Sequence, residues 1–523
     1  MRRARVTALA LALLPGCGDS EAMTTDASTT EETAATTAGP TAGSQGSDSS
    51  NPTTDAPTTD PTDPTDPNAP TTSEPTTTET SEPTTETTNE TSEPTTEPTS
   101  EPTDPTTTDT DTETTGDPFL CPDDAPVVTL PRQGITAAEL GVLVNLDDPQ
   151  SVAVADYYVS ARQIPAENVV ELSFPVNNVM TEDVFNGVAA EVDAALGPEI
   201  QALALTWTRP YRVGCMAATA AFALGFDTKY CNTSGMGCGE TAFVDYFNSE
   251  STTPYDDHGL RPAMMLAAKT VEFAEALIDR GVSSDGTFPG GDGYFLRTTD
   301  VARSVRWPAF VATVDAWDYP EGLALTYLDN SMGNGSNVIE GTQDVLFYFT
   351  GLATVGEIDT NTYVPGAVAD HLTSYGGQVP DSGQMSVCRW LEAGVTASFG
   401  TVVEPCNYPT KFPDTTVLLP HYFRGDTIVE AYWKSVAWPG EGNFVGEPLA
   451  SPWGASPVTY EDCALTIETT LLRPFASYEL QEADAPDGPW TPVLSDISID
   501  KHLRTTIEYE PVAAPYYQLV RVQ

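Results

Sequence analysis

Arg2, Arg3 and Arg5 precede an apolar stretch from Val6 to Leu14, after which the chain carries almost no large apolar side chain until past Pro118. A hydrophobic pattern suited to packing begins at Leu140. Leu140 to Leu146 (LGVLVNL) is continuous enough for a strand buried on both faces, and Asp148-Pro149 then supplies a cap and a first-turn proline for a helix. Val152, Ala155, Tyr158 and Val159 share one face of that helix, and Ile164-Pro165 stops it. Val169 to Phe174 reads as the next strand. Thr181 opens a helix carrying Val184, Val188 and Val192, closed by Gly197-Pro198, and Ala202 to Trp207 (ALALTW) is again a strand. Near-continuous apolar strands separated by amphipathic helices must be covered on both sides, which predicts an α/β fold with a mostly parallel sheet and helices on both faces.

The same alternation continues. Pro262 to Gly281 (PAMMLAAKTVEFAEALIDRG) predicts one helix, with proline at its start and glycine at its end. Gly293 to Thr298, Leu323 to Asp329, Asp344 to Gly351, Ala367 to Ser374 and Val395 to Val402 read as strands. Helices fit at 381–393 and at 427–437, where Ile428, Val429, Tyr432, Trp433 and Val436 form a stripe best read as core. After Pro457 the spacing changes to alternating strands, predicting a small antiparallel, sandwich-like β module. The expected organisation is a signal over 1–17, a tether over 18–118, an α/β domain over 119–456 and the β module over 457–523.

The N-terminal order of basic, apolar and small residues is that of an export signal. Leu14-Pro15-Gly16-Cys17 resembles the lipobox of bacterial lipoproteins, which implies acylation of Cys17 and a stable membrane anchor without a spanning helix. The run of roughly eighteen apolar residues that a spanning helix needs occurs nowhere. From Gly18 to Pro118 there are 23 Asp/Glu and no Lys or Arg, in repeats such as Ser-Glu-Pro-Thr-Thr, which predicts a self-repelling, disordered spacer. Phe119 to Gln523 retains 19 basic against 53 acidic residues, a net of −34 within a chain total of −54. Such a field repels polyanions and excludes routine nucleic-acid binding.

Ligands in open parallel sheets bind beyond the carboxyl ends of the strands, and that rule selects the candidate chemistry. Arg209, Tyr211, Arg212 and Cys215 follow ALALTW, Leu352 and Ala353 follow the next strand tip, and Glu404 and Cys406 follow VTASFGTV. The binding candidates are Arg209, Tyr211, Arg212 and Glu404. Among four histidines, His371 alone falls at a strand's carboxyl end, making it the natural general base, with Ser374 as its partner if the chain turns by Thr373. Cys215, beside two arginines, is the alternative nucleophile, since nearby cations lower a thiol pKa. With Cys17 set aside, seven cysteines remain in an exported chain, which predicts three bridges and one free thiol. Cys388 with Cys406, and Cys121 with Cys463, are the expected pairs. No Cys/His spacing supports zinc, and the calcium-loop match from Asp329 to Glu340 lacks glycine at its sixth position, Asn334, so no metal or cofactor is expected.

The stretches 142–170 (VLVNLDDPQSVAVADYYVSARQIPAENVV), TWTRPYRVGC (206–215), RPAMMLAA (261–268), ADHLTSYGG (369–377), and GTVVEPCNYPTKFP with EAYWKSV between 400 and 436 resemble an uncharacterised family of exported bacterial proteins. Members of that family occur beside exosortase-type sorting systems, which implies envelope biology. A more distant likeness is to caspase- and gingipain-type cysteine peptidases, with a flavodoxin-like sheet as the other possibility. Leu352 stands where the catalytic His of those peptidases would be, and Thr373 or Ser374 where the Cys would be, so the thiol and imidazole pair is missing. The expected protein is a lipid-anchored lipoprotein, periplasmic or on the cell surface, whose α/β domain is a non-catalytic module for an envelope protein, peptide or glycan. The alternative is a peptidase or esterase using His371 with Ser374 or a cysteine.

Overall fold

The computed structural model describes residues 121–233, 238–317 and 323–522; the expected export signal over 1–17, with Cys17, and the expected tether over 18–118 lie outside them. A ten-stranded sheet organises the α/β part. Its spatial order is Leu323–Asp329, Gly291–Arg297, Val345–Thr350, Tyr363–His371, Ala397–Thr401, Gly442–Gly446, Ala263–Met265, Ala202–Leu205, Leu140–Asn145 and Val169–Leu172. The ladders from Leu323–Asp329 through Ala397–Thr401, and from Ala263–Met265 through Val169–Leu172, are parallel. Gly442–Gly446 is inserted between these two blocks, antiparallel to Ala397–Thr401 and touching Ala263–Met265 at the single pair Val445 and Met265. Leu140–Asn145, Ala202–Leu205, Val345–Thr350, Ala397–Thr401 and Gly442–Gly446 are buried at every residue, which the near-continuous apolar runs of the first three require.

One row of helices comprises Pro149–Arg162, Val271–Ser284 and Cys388–Glu392, each touching the next. A second row comprises Trp307–Ala316, Thr415–Phe423 and Ile428–Lys434. Asp148 caps the first helix through Gln150 N at 3.0 Å, with Pro149 at its first turn. The aromatic stripe of Ile428–Lys434 is core: Tyr432 and Trp433 are buried, and Trp433 stacks on Phe444 at 4.7 Å.

The segment 262–281 is two elements. Ala263–Met265 is a strand in the middle of the sheet, and the helix starts at Val271, where the Thr270 hydroxyl accepts from Phe273 N at 3.4 Å. Ala, Met and Leu favour helix intrinsically, but a position buried on both faces between two strands overrides that preference.

The C-terminal module is a pair of small sheets, one of Val458–Glu461, Ala464–Thr469 and Thr505–Tyr509, the other of Tyr478–Ala483, Thr491–Ile497, Tyr516–Arg521 and Val127–Thr129. They enclose their own core, including Leu465, Ile467, Leu480, Tyr517 and Leu519. Val127–Thr129 joins Tyr516–Arg521 in parallel, so a segment that precedes the first strand of the ten-stranded sheet completes this second sheet. The Cys121–Cys463 bridge, with Cα atoms 5.4 Å apart, fastens that recruited segment.

The expected Cys388–Cys406 bridge does not form. Cys388 opens a buried helix, with Sγ 3.9 Å from the Ala267 carbonyl, whereas Cys406 has turned away from the sheet edge and bonds Cys238; Cys215 bonds Cys231. Burial pushes the Cys388 thiol up to about 12. In Cys17→Ser protein, thiol titration should therefore find no fast-reacting group in the native state and one after denaturation without reductant. Two or more thiols would contradict this bridge pattern.

Candidate functional site

The carboxyl ends of the strands are gathered at one rim by short polar contacts. Asn443 donates through Nδ2 to the Tyr211 carbonyl at 2.8 Å and to the Gly377 carbonyl at 3.1 Å, joining the loop after Ala202–Leu205 to the loop after Tyr363–His371. Lys269 pairs with Asp381 at 3.0 Å, joining the loop after Ala263–Met265 to the same 372–388 segment. Gly377 lies directly on Gly400: a Cβ there would sit 2.0 Å from the Gly400 carbonyl oxygen, and Gly377 N donates to Thr401 O at 2.9 Å. Glycine at both positions is what allows this loop to lie on its neighbouring strand.

His371 reaches the rim in sequence but not in space. It is 1% exposed, and its Nδ1 accepts a hydrogen bond from Trp390 Nε1 at 3.0 Å. With that lone pair occupied, the neutral ring carries its proton on Nε2, and no hydrogen bond joins it to Ser374. Burial, aided by the Arg306 charge, lowers its pKa to about 3. A base whose lone pair is taken and whose cation is strongly disfavoured cannot collect a proton from a nucleophile. Ser374 N donates to Gln384 Oε1 at 2.8 Å, and its carbonyl accepts from Thr401 at 3.0 Å, so this residue shapes the loop. On the opposite face of the strand, Asp370 meets Arg306 Nη2 at 2.5 Å, and Arg306 also donates to the Thr350 carbonyl at 2.9 Å. Burial raises the Asp370 pKa against the pull of Arg306.

Cys215 is corrected as a nucleophile candidate, because its sulfur is held in the bridge to Cys231. Glu404 accepts from Cys406 N at 3.0 Å and sits beside the Cys238–Cys406 bridge. These three donor groups lie within 4.8 Å of one another, but with the sulfurs bonded together only the carboxylate remains as a ligand. Tyr211 is almost fully buried and contributes backbone contacts, accepting from Ala218 N at 3.1 Å.

Arg209 and Arg212 are different. Arg209 is exposed and Arg212 half-buried, with its Nε enclosed and unpartnered. Neither has a carboxylate partner among the described residues. Arg280 also lacks one, yet it donates to the Leu391 and Val395 carbonyls at 2.8 and 3.1 Å. The loop after Ala202–Leu205 thus carries two cations that no carboxylate of the described residues neutralises.

Sequence reasoning passed over a second cluster. Ser249 Oγ is 2.9 Å from His258 Nε2, and Asp245 Oδ1 is 3.2 Å from His258 Nδ1, though at an angle that makes no hydrogen bond. The order of hydroxyl, imidazole and carboxylate is that of a nucleophilic triad. However, Ser249 Oγ also accepts from Ser251 N at 3.1 Å, closing its own turn, and the Asp245 side chain is 75% exposed. His258 ends the short helix Pro254–His258 inside an irregular Ser/Thr/Asp-rich stretch, where no periodic signal marks it.

The buried His371 generates a pH prediction. The unfolded chain takes up the proton near pH 6.5 and the folded chain only near 3, so the stability contributed by the neutral ring is complete above 6.5 and is lost as pH falls through that window. At pH 4.5 the loss is ~2–3 kcal/mol by the usual conversion of pKa shift to free energy. His371→Gln, whose side-chain oxygen can still accept from Trp390, should lose correspondingly less stability between pH 7 and 4.5 in denaturant titrations. An equal loss in variant and wild type would show that the ring does not titrate as described.

No family model matches the chain, and no curated protein matches it. A solved structure described as "Structure of Protease" aligns with a TM-score of 0.36 and 9% identity, covering 74% of this chain and 98% of that one. A likeness at that level carries no argument about fold or activity here.

Proposed function

We propose that this chain is an exported, lipid-anchored envelope protein whose α/β domain is a non-catalytic binding module, taking an acidic peptide or acidic glycan at the carboxyl rim. The observation that carries the reading is the pair Arg209 and Arg212, left without carboxylate partners in a folded part that holds 53 acidic residues. Two of the candidate reactive groups at this edge are engaged, His371 by Trp390 and Cys215 by Cys231, and no hydrogen bond joins Ser374 to His371. The export signal and Cys17 support the address, and the three bridges suit an oxidising compartment.

The test is fluorescence anisotropy with labelled oligoglutamate and oligoglucuronate. Arg209→Gln and Arg212→Gln should each weaken binding by about tenfold, or ~1.4 kcal/mol, and the double variant should abolish it. Binding that the double variant retains would place the ligand elsewhere. In the same series, Cys17→Ser should move the protein from the membrane to the soluble fraction, and continued membrane retention would remove the lipid anchor from the proposal.

A hydrolytic reading rests on one observation, the Ser249, His258 and Asp245 cluster. It predicts that a fluorophosphonate probe labels Ser249 and that His258→Ala abolishes the labelling. An unlabelled Ser249 would leave this cluster as the closure of a turn.

A further inference from the structure

Three ionisable side chains are enclosed together where the 424–427 turn meets the helix Ile428–Lys434. Lys434 Nζ lies 2.7 Å from Asp426 Oδ2, with 1% and 11% of the two side chains exposed. Glu430 is fully buried one helical turn before Lys434, so the two share a face of that helix. Its Oε2 accepts from Ile135 N at 2.9 Å, from Thr427 N at 3.0 Å and from Thr427 Oγ1 at 2.6 Å, whereas its Oε1 is enclosed without a hydrogen bond. Tyr246 closes the cluster from the 244–248 segment. Its ring centre is 5.5 Å from Lys434 Nζ, and its hydroxyl is also buried without a hydrogen bond.

Two opposite charges taken out of water lose their hydration, and their attraction has to repay that loss. Condensing the amine with the carboxyl removes both charges and leaves a neutral amide. The reaction needs the nitrogen in contact with the carboxyl, a donor for the departing oxygen, and a group that moves a proton between them. The 2.7 Å contact supplies the first. His421 Nδ1 supplies the second, lying 2.9 Å from the same Oδ2; a carboxylate oxygen can only accept there, so this nitrogen carries the proton. Glu430 supplies the third. Burial first, and then the charge of Asp426, raise its carboxyl to about 7 against the pull of Lys434, so near neutral pH it can take up a proton and return it.

We propose that Lys434 and Asp426 join in an intramolecular isopeptide bond, with Glu430 carrying the proton and His421 steadying the oxygen that leaves. The Lys434 ammonium first passes a proton to Asp426 Oδ2, giving a neutral amine and a neutral acid. The nitrogen lone pair then forms the bond to Asp426 Cγ, and Glu430 takes the second proton from that nitrogen. Glu430 returns this proton to Oδ2 as the bond from Cγ to Oδ2 breaks, and one water departs. No oxidant or cofactor is consumed, and Glu430 ends as it began. The product ties the turn before the helix to the helix's last residue, bracing the element that places Tyr432 and Trp433 in the core.

The experiment is peptide mapping of the full mature chain, purified in its native state, then denatured, reduced and digested with trypsin. Trypsin cuts after Arg424, and after Lys434 only where that amine is free. The expected result is no cut after Lys434 and a peptide starting at Gly425 that is lighter than its sequence by one water, with tandem fragmentation placing the link between Asp426 and Lys434. A cut after Lys434 with the full sequence mass would overturn the proposal, and so would a water loss mapped elsewhere, such as a succinimide at Asp285-Gly286. Glu430→Gln keeps an oxygen that can accept from Ile135 and Thr427. It should fold with the circular dichroism of the wild type yet carry at least tenfold less linked peptide, a covalent readout that a merely structural role would not move. A folded Glu430→Gln protein linked as fully as the wild type would remove Glu430 from the reaction. The wild-type map decides the bond itself without recourse to any variant.

Discussion

The rim depends on an ion pair that no solvent reaches. Lys411 Nζ lies 2.6 Å from Glu441 Oε2, and both residues are essentially fully buried. Two charges so placed have lost their hydration, and removing either partner would leave the other uncompensated, at a cost of ~3–5 kcal/mol. The pair therefore fixes where the 401–412 loop meets the start of Gly442–Gly446. Other contacts hang from it: Glu441 Oε1 accepts from Asn232 N at 2.8 Å, its carbonyl accepts from Val402 N at 2.9 Å, and two residues on Asn443 ties Tyr211 to Gly377. The loops that carry Arg209, Arg212 and Glu404 are consequently set before any ligand arrives, which lowers the ordering cost of binding.

The same rule of paired burial decides what the end of Tyr363–His371 can do. Successive residues on a strand face opposite sides, so Asp370 enters one helical layer and His371 the other. Asp370 finds Arg306, and His371 finds Trp390, whose ring also lies edge-on to Tyr348 at 5.1 Å. Each is held as a core group through one of its polar atoms, Asp370 Oδ1 and His371 Nδ1. A histidine at a strand's carboxyl end is a strong hint of chemistry only where the strand emerges into solvent, and here the pairing with Val345–Thr350 runs on past it, Leu372 N donating to Thr350 O at 3.0 Å, and the ring is buried.

Much of the architecture was legible because it follows from periodicity. The early βαβαβ order, the capped helix after Asp148, the later strands and the alternating C-terminal strands all appear where the pattern of apolar residues puts them. What was illegible depends on contacts far apart in sequence. Pro262 to Ala268 has helical composition but lies as a strand in the sheet centre. Gly442–Gly446 is too short and glycine-rich to stand out, and Val127–Thr129 joins a sheet formed by residues almost four hundred positions later. The Cys121–Cys463 pairing was readable because those cysteines flank a domain, whereas Cys388 and Cys406 share a sheet edge yet diverge from it. The site followed the same division. The cationic rim residues came from a topological rule and stand there unpaired, whereas the Ser249 and His258 contact arises from an irregular segment that only the fold brings together.

The charge balance adds a constraint on any anionic ligand. A folded part with a net of −34 repels anions from afar, but salt screens that repulsion beyond about 8 Å at physiological ionic strength. Attraction must then come from the last few ångströms, where an enclosed guanidinium group such as that of Arg212, with its Nε buried, acts in a lower dielectric than water. With long-range steering absent, an anion would gain little in association rate, and fit would decide its affinity instead. An acidic chain would therefore gain only from those of its charges that reach the guanidinium groups, and its distant charges would add nothing. An acid whose charges fall on the guanidinium groups would gain the full short-range interaction, so fit at those groups rather than total charge would decide which acids such a body holds.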